Sequence, residues 1–121
     1  MLAGLIVSLG VSIVPPLVPL TRPDEIPLQR MRCTCYLPTG NACYDGTPTH
    51  KGVISSNVEH VGKTALLYTL DGDYIGRFEC HEIGGNRMLR NGTAIDVYRD
   101  TEEEAWEWVG TYGDYVLVRW L

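Results

Sequence analysis

Two carboxylic acids stand in this chain where chemistry could use them. Glu82 precedes a glycine pair in Glu82-Ile83-Gly84-Gly85, and Asp96 interrupts the apolar run Ala94-Ile95-Asp96-Val97-Tyr98. The β-branched and aromatic residues of that run predict a strand, where aspartate is disfavoured and costs free energy to bury. A carboxyl kept there has a partner, a function, or an outlet to water at a sheet edge. Desolvation raises the proton affinity of an acid, and an acid still protonated near neutral pH can protonate a leaving group. A second carboxylate nearby would add like-charge repulsion in the same direction. Glu82 is expected to fill that tuning or positioning role.

Positioning such a pair requires strands that converge. Met31 to Leu37 alternates and is rich in β formers, Gly52 to Ser56 and Thr64 to Leu70 are short strands, and Asp71-Gly72 is a hairpin signal leading into Tyr74 to Cys80. Thr93 to Arg99 carries Asp96, and Tyr115 to Leu121 closes the sheet. Between the first two strands, Pro38 to Lys51 has turn chemistry over a long surface excursion, with Gly40, Gly46 and Pro48. Thr101 with Glu104 makes a capping box, and Gly110 is the expected stop, which predicts a helix over Glu102 to Val109. Ala105, Trp108 and Val109 form its covering face, with Glu103 and Glu107 outward. Short strands, long loops and one late helix read as a small, mainly β barrel.

With 121 residues there is room for a single domain. A net charge of −5 and scattered basic residues exclude a nucleic-acid surface, which needs clustered lysine and arginine. Met1 to Thr21 has no charged side chain, and Leu2 to Val14 has the length of a signal-peptide h-region. Pro15, Pro16 and Pro19 shorten any helix there below the ~20 residues that a bilayer needs. Residues 1–29 thus read as an apolar export or anchoring segment followed by a Pro-rich linker, with residues 1–20 as a route to membrane association. A packing arm and a misplaced start are the alternatives. Cys33, Cys35, Cys43 and Cys80 form an even set, which favours disulfides in an exported domain. A zinc site with His81, or free buried thiols, are the other readings, and paired C-x-x-C knuckles are missing.

From about Arg30 to Leu121, roughly three quarters of the chain, the motifs resemble those of a known family. Cys35-Tyr36-Leu37-Pro38-Thr39-Gly40 is similar to an opening A-Y-x-x-T-G. Glu82-Ile83-Gly84-Gly85 is similar to D-T-G-G, Ile95-Asp96-Val97-Tyr98 to I-D-hydrophobic-aromatic, and Val116-Leu117-Val118 to a closing strand. Their order and spacing resemble the 3D domain, a cell-wall-associated family named for three aspartates. That family is similar to the barrel of membrane-bound lytic transglycosylase A, a peptidoglycan-cleaving enzyme. The resemblance implies a six-stranded double-psi β barrel with one C-terminal helix over residues 30–121. It also implies Asp96 as acid/base and Glu82 at the D-T-G-G position. Gly84 and Gly85 would then bring backbone amides to the sugar, Arg87 (with Arg90) would pair with peptide-stem or lactyl carboxylates, and Tyr36 would line the groove. The structural alternatives are a tight turn for the glycines, a solvated loop for the arginines and core packing for Tyr36. Neither metal nor cofactor is implied.

This sequence departs from the pattern at two acids: Glu82 stands for an aspartate, and no acid occupies Ser55 to Asn57, where the third would fall. Three readings follow. One is a lytic transglycosylase acting on peptidoglycan glycan strands outside the cytoplasm, with a bacterial or phage origin. The others are a wall-glycan-binding module with weakened turnover, and a disulfide- or zinc-stabilised structural protein. His81, next to Glu82, is expected to point to the opposite face of its strand, and Asn91-Gly92-Thr93 to serve as a turn.

Overall fold

A computed structural model describes residues 26–121 of the chain. Among the described residues, six strands close into a barrel in the order β1-β5-β2-β4-β3-β6. They are β1 (Gln29–Tyr36), β2 (Val53–Ser56), β3 (Thr64–Tyr68), β4 (Tyr74–Ile83), β5 (Ala94–Tyr98) and β6 (Tyr115–Trp120). β1 pairs with β5 and β2 with β4 in parallel, and the remaining pairings are antiparallel. Parallel neighbours need crossover connections, so these two pairs interlace the barrel in keeping with the expected topology. Helix α2 (Glu102–Tyr112) follows β5 as the sequence implied, and a short α1 (Arg87–Arg90) and a 3-10 turn at Val58–His60 are added.

The interior follows from period-two alternation. Met31 and Cys33 of β1, Ile54 of β2, Ala65 and Leu67 of β3, Phe78 and Cys80 of β4, Ile95 and Val97 of β5, and Val116 and Val118 of β6 make one buried cluster. Their neighbours in β1 and β5, Thr34, Tyr36, Asp96 and Tyr98, therefore face outward. One irregularity in β4 breaks the alternation. Ile54 pairs with Cys80, but Ser55 pairs with Glu82, so β4 carries one extra residue at His81. A bulge of this kind turns the next side chain to the other face. Glu82 consequently joins the outer face together with His81 instead of opposing it, which corrects the expected alternation.

Helix α2 begins as expected: Thr101 Oγ1 accepts a hydrogen bond from Glu104 N–H at 3.2 Å, and the Asp100 amide donates to Glu104 Oε1. It runs past Gly110 to Tyr112 and ends at Gly113, which has φ +77° and donates its amide to Val109 O. Mid-helix glycine costs only about 1 kcal/mol against alanine. Packing outweighs that cost, because Trp108 is buried edge-on against Phe78 and Tyr112 stacks edge-on against Trp108. Helix α1 is capped by Asn86, whose Oδ1 accepts from Leu89 N–H at 2.9 Å.

The four cysteines are free thiols, so the expected disulfides are not formed. Cys33 and Cys80 fill the barrel interior and act as small apolar side chains. Burial pushes the Cys33 thiol up to about 12, and the Cys35 and Cys80 thiols up to about 11. Protonated buried thiols are poor metal ligands, and among the described residues no group of three or more His, Cys, Asp or Glu could hold a metal ion. The apolar segment read as an export or anchoring signal lies outside the described residues through position 25. Among those described, no helix is long and apolar enough to cross a membrane.

Gly84 tests the packing that sets α1 on the barrel. A Cβ there would lie 2.0 Å from Leu89 Cδ1 and 2.7 Å from its Cβ, and Leu89 is buried. Gly84→Ala is expected to cost about 1–3 kcal/mol as an overpacking change. Urea unfolding checks this: the midpoint falls while the slope with denaturant stays unchanged.

Candidate active site

Strand β2 sets the geometry of the site. Its Ser55 is paired on one side with Asp96 of β5 and on the other with Glu82 of β4, and Asp96 is paired in turn with Thr34 of β1. Paired residues of neighbouring strands share a face, so Thr34, Asp96, Ser55 and Glu82 form one row across the outside of the barrel. The two acids are separated by one strand, or about 10 Å between α-carbons at the usual interstrand spacing. Ser55, in the middle of the row, is 3 % exposed, whereas Thr34, Asp96 and Glu82 are partly exposed. Helix α1 lies against β5 and β2, and the loop between β1 and β2 closes over Glu82.

Asp96 is the partly buried acid of the row, with its proton affinity raised. Burial raises its pKa from the ordinary aspartate value, opposed by a single hydrogen bond of 2.9 Å in which the Thr34 hydroxyl donates to Oδ1. Desolvation wins because one neutral donor cannot replace the hydration shell of a carboxylate. No charge contributes to the shift, so Glu82 does not tune Asp96 by repulsion as the sequence suggested. The bond to Oδ1 leaves Oδ2 without a hydrogen-bond partner among the described residues.

Glu82 is occupied otherwise. Its Oε1 accepts hydrogen bonds from the Tyr44 amide at 2.9 Å and from its own neighbour's amide, Ile83, at 3.1 Å. Charge-assisted bonds of this kind hold both partners in place, so Glu82 pins the β1–β2 loop over the row. A second clasp lies beside it. His81 Nδ1 is 2.6 Å from Asp45 Oδ2 of the same loop, and His81 Nε2 is 3.3 Å from Glu79 Oε1. Burial pulls the His81 pKa down, but hydrogen bonds and charge from Asp45 and Glu79 outweigh it, and the net shift is upward.

The other expected residues divide. Tyr36 faces the row, and its hydroxyl is buried without a hydrogen-bond partner. Burial raises its pKa first, with the charges of Cys43, Glu82 and Asp96 adding to the effect. Its ring meets Tyr98 edge-on, with centroids 5.4 Å apart. Gly84 does not present an amide to ligand, because its N–H donates to Ser56 O and its missing side chain makes room for Leu89. Gly85 is exposed and its α-carbon faces open space, so its amide remains accessible. Arg87 lines a hollow of about 380 Å³ with Arg32, Thr34, Asn86, Met88 and Ala94, whereas Arg90 does not. Along β5 beyond Asp96, Tyr98 joins Pro38 to Ala42, Pro48 and Thr49 around a hollow of about 370 Å³. Sequence reasoning missed Thr34, Ser55 and Arg32. Thr34 was legible in principle, since it alternates with the inward Cys33 and Cys35 and faces the row beside Tyr36.

No family model matches the chain, and no curated protein is found to be similar to it. What the row can do is therefore read from its side chains. It offers a single carboxyl with raised proton affinity, hydroxyls of Thr34 and Ser55 beside it, and no metal-ligand cluster among the described residues.

Two outcomes check this electrostatic picture. A raised carboxyl pKa means that the folded state holds the Asp96 proton more tightly than the unfolded state. Its contribution to stability is thus greatest below the unfolded carboxyl pKa of about 3.9, and declines as pH rises through the folded value. Asp96→Asn keeps an acceptor for Thr34 and removes the ionisation, so the variant is expected to melt above the wild type at pH 7, with the gap closing in acid. For His81 the raised pKa makes the ion pairs fully present below the ordinary value of about 6.5 and lost as pH rises through the folded value. The protection of the Tyr44 amide from hydrogen exchange, relative to that in His81→Gln, is expected to fall across that window.

Proposed function

We propose that the chain is a peptidoglycan-cleaving lytic transglycosylase acting on the β-1,4 bond between N-acetylmuramic acid and N-acetylglucosamine. The observation that carries this reading is the lone Asp96 carboxyl, desolvated beside Thr34 and Ser55, with open hollows at Ala94 and Tyr98 on either side of it along β5. Hydrolysis of a glycosidic bond in the usual way takes two carboxyl groups. Glu82 is committed to two amides, which leaves one acid for chemistry. Intramolecular attack is the glycan reaction that one acid can serve.

In this reaction the Asp96 carboxyl gives its proton to the glycosidic oxygen as the bond to C1 breaks. The C6 hydroxyl of the same muramic acid residue attacks C1, and the Asp96 carboxylate takes the proton that this hydroxyl loses. A 1,6-anhydro ring forms, the leaving sugar departs with its new hydroxyl, and Asp96 ends protonated as it began. No water is consumed. Thr34 holds Oδ1 throughout, so the proton leaves from and returns to Oδ2. Glycan strands are the partner, and an extracytoplasmic location, in a bacterium or in a phage life cycle, follows from that substrate.

A second reading is a wall-glycan-binding module with weakened turnover. It is favoured by Ser55, which places a hydroxyl between Asp96 and Glu82 where a further acid would complete the set.

Incubating the protein with sacculi and weighing the products separates the two. The first reading expects anhydromuropeptides, their loss by about 10²-fold or more in Asp96→Asn, and a rate that declines as pH rises through the raised Asp96 pKa. Undiminished release by that variant rejects it. Glycan binding with no product over long incubation supports the second reading, and absence of binding rejects both.

A further inference from the structure

The hollow between β1, β5 and α1 has the chemistry of an anion site. Two of its lining side chains are arginines, Arg32 and Arg87, and none is acidic. No carboxylate of the described residues forms an ion pair with either. Other arginines have aromatic partners: Arg30 lies over Tyr115 at 4.0 Å, Arg99 over Trp108 at 5.0 Å and Arg119 over Tyr68 at 5.4 Å. Arg32 is left with a buried Nε that has no acceptor. An unpaired buried donor is costly, more so when charged, and a planar guanidinium edge is matched by a carboxylate.

Position relates this hollow to the reacting centre. Arg32 is two residues from Thr34 on the same face of β1, about 7 Å along the strand. Thr34 lines the hollow and bonds Asp96. An acidic arm on the sugar at Asp96 can therefore reach the guanidinium groups without another sugar between them.

We infer that Arg32 and Arg87 form a carboxylate-binding subsite that recognises the acidic arm of the sugar held at Asp96. This deepens the proposed function and rests on it for the choice of sugar. Two sources supply the same chemistry: the free lactyl carboxylate of an unsubstituted muramic acid, and a carboxylate of an attached peptide. The subsite gives orientation as well as affinity, because a bidentate carboxylate fixes the plane of the arm and hence the ring that bears it. It also disfavours a neutral sugar, which brings no charge to either guanidinium group.

Binding to the intact chain, measured by NMR titration, tests the subsite apart from turnover. The probes are N-acetylmuramic acid, N-acetylglucosamine and a muramoyl dipeptide. N-acetylmuramic acid is expected to bind about 10-fold or more tightly than N-acetylglucosamine, as a charge-assisted pair implies. That preference is expected to weaken with salt, to vanish in Arg87→Glu and in Arg32→Gln, and to survive in Asp96→Asn. Arg87 is exposed, so its variant folds even where an Arg32 variant does not. A muramoyl dipeptide binding as tightly as the free acid assigns the subsite to a peptide carboxylate, and a much weaker one assigns it to the lactyl group. Equal affinity for the acidic and neutral sugars, or an unchanged preference in Arg87→Glu, overturns the inference. Cleavage of sacculi without acid preference removes the subsite and leaves the proposed reaction standing. Acid preference without anhydromuropeptides does the reverse.

Discussion

The arrangement of the outer face depends on four residues. Strand β2 is buried along its whole length and hydrogen-bonded on both sides, parallel to β4 and antiparallel to β5. A strand so placed has no freedom of register, since a one-residue slip would put Ile54 outside and Ser55 into the core. Locking Ser55 outward locks Asp96 beside it, and Thr34 follows through the parallel pairing of β1 with β5. The bulge in β4 supplies the last member of the row. Without the extra residue at His81, regular alternation would turn Glu82 toward the interior, where its charge would have no water and no amide partners.

Within that row the two acids have opposite environments. Asp96 is desolvated and meets one hydroxyl, so its neutral form is favoured. Glu82 meets two backbone donors and holds the β1–β2 loop against the barrel. The loop is held again by Asp45 at His81, and by the Asp45 amide bonded to His81 O at 3.3 Å. Asp45 is itself held well below the usual carboxyl range by the Thr47 hydroxyl and amide and by His81, which keeps the negative end of the clasp charged. Holding the loop and carrying a raised proton affinity are thus divided between different acids. Repulsion between Asp96 and Glu82 is replaced by burial as the source of the raised proton affinity.

What was legible in the sequence was what alternation and propensity encode. Asp96 stood out because a polar residue broke a β-forming run, and the barrel strands followed from similar runs bounded by glycine and proline. The bulge was only faintly legible: no glycine or proline marks it, and its one sign is that His81 and Glu82 put two polar residues side by side in the otherwise alternating run Phe78-Glu79-Cys80-His81-Glu82-Ile83. That one residue decided whether Glu82 and His81 share a face. Helix α1 was missed because it is a single turn made by a cap at Asn86 and by Leu89 packing on Gly84, and neither has a periodic signature. The stop at Gly110 failed for a related reason: tertiary packing of Trp108 and Tyr112 carried the helix past a weak breaker. The cysteines misled because an even count speaks to compartment, whereas burial in the barrel decides their state.

Ser55, which the binding-module reading counts as a missing acid, has a different consequence if the chain cleaves glycan. A carboxylate there would lie one strand from Asp96, in a place that is 3 % exposed. Two desolvated carboxyls so close would share a proton and titrate as a pair, one much more acidic than the other. Such a pair suits a reaction that activates water, where one group must be ionised while the other is protonated. Serine removes the coupling. In the proposed reaction Asp96 would then shuttle one proton out and back, governed by burial and a single hydrogen bond from Thr34. A lone carboxyl of this kind fits a reaction whose nucleophile arrives on the substrate and whose proton balance closes on one group. The neutral hydroxyls around it do not fix the acid in its charged form.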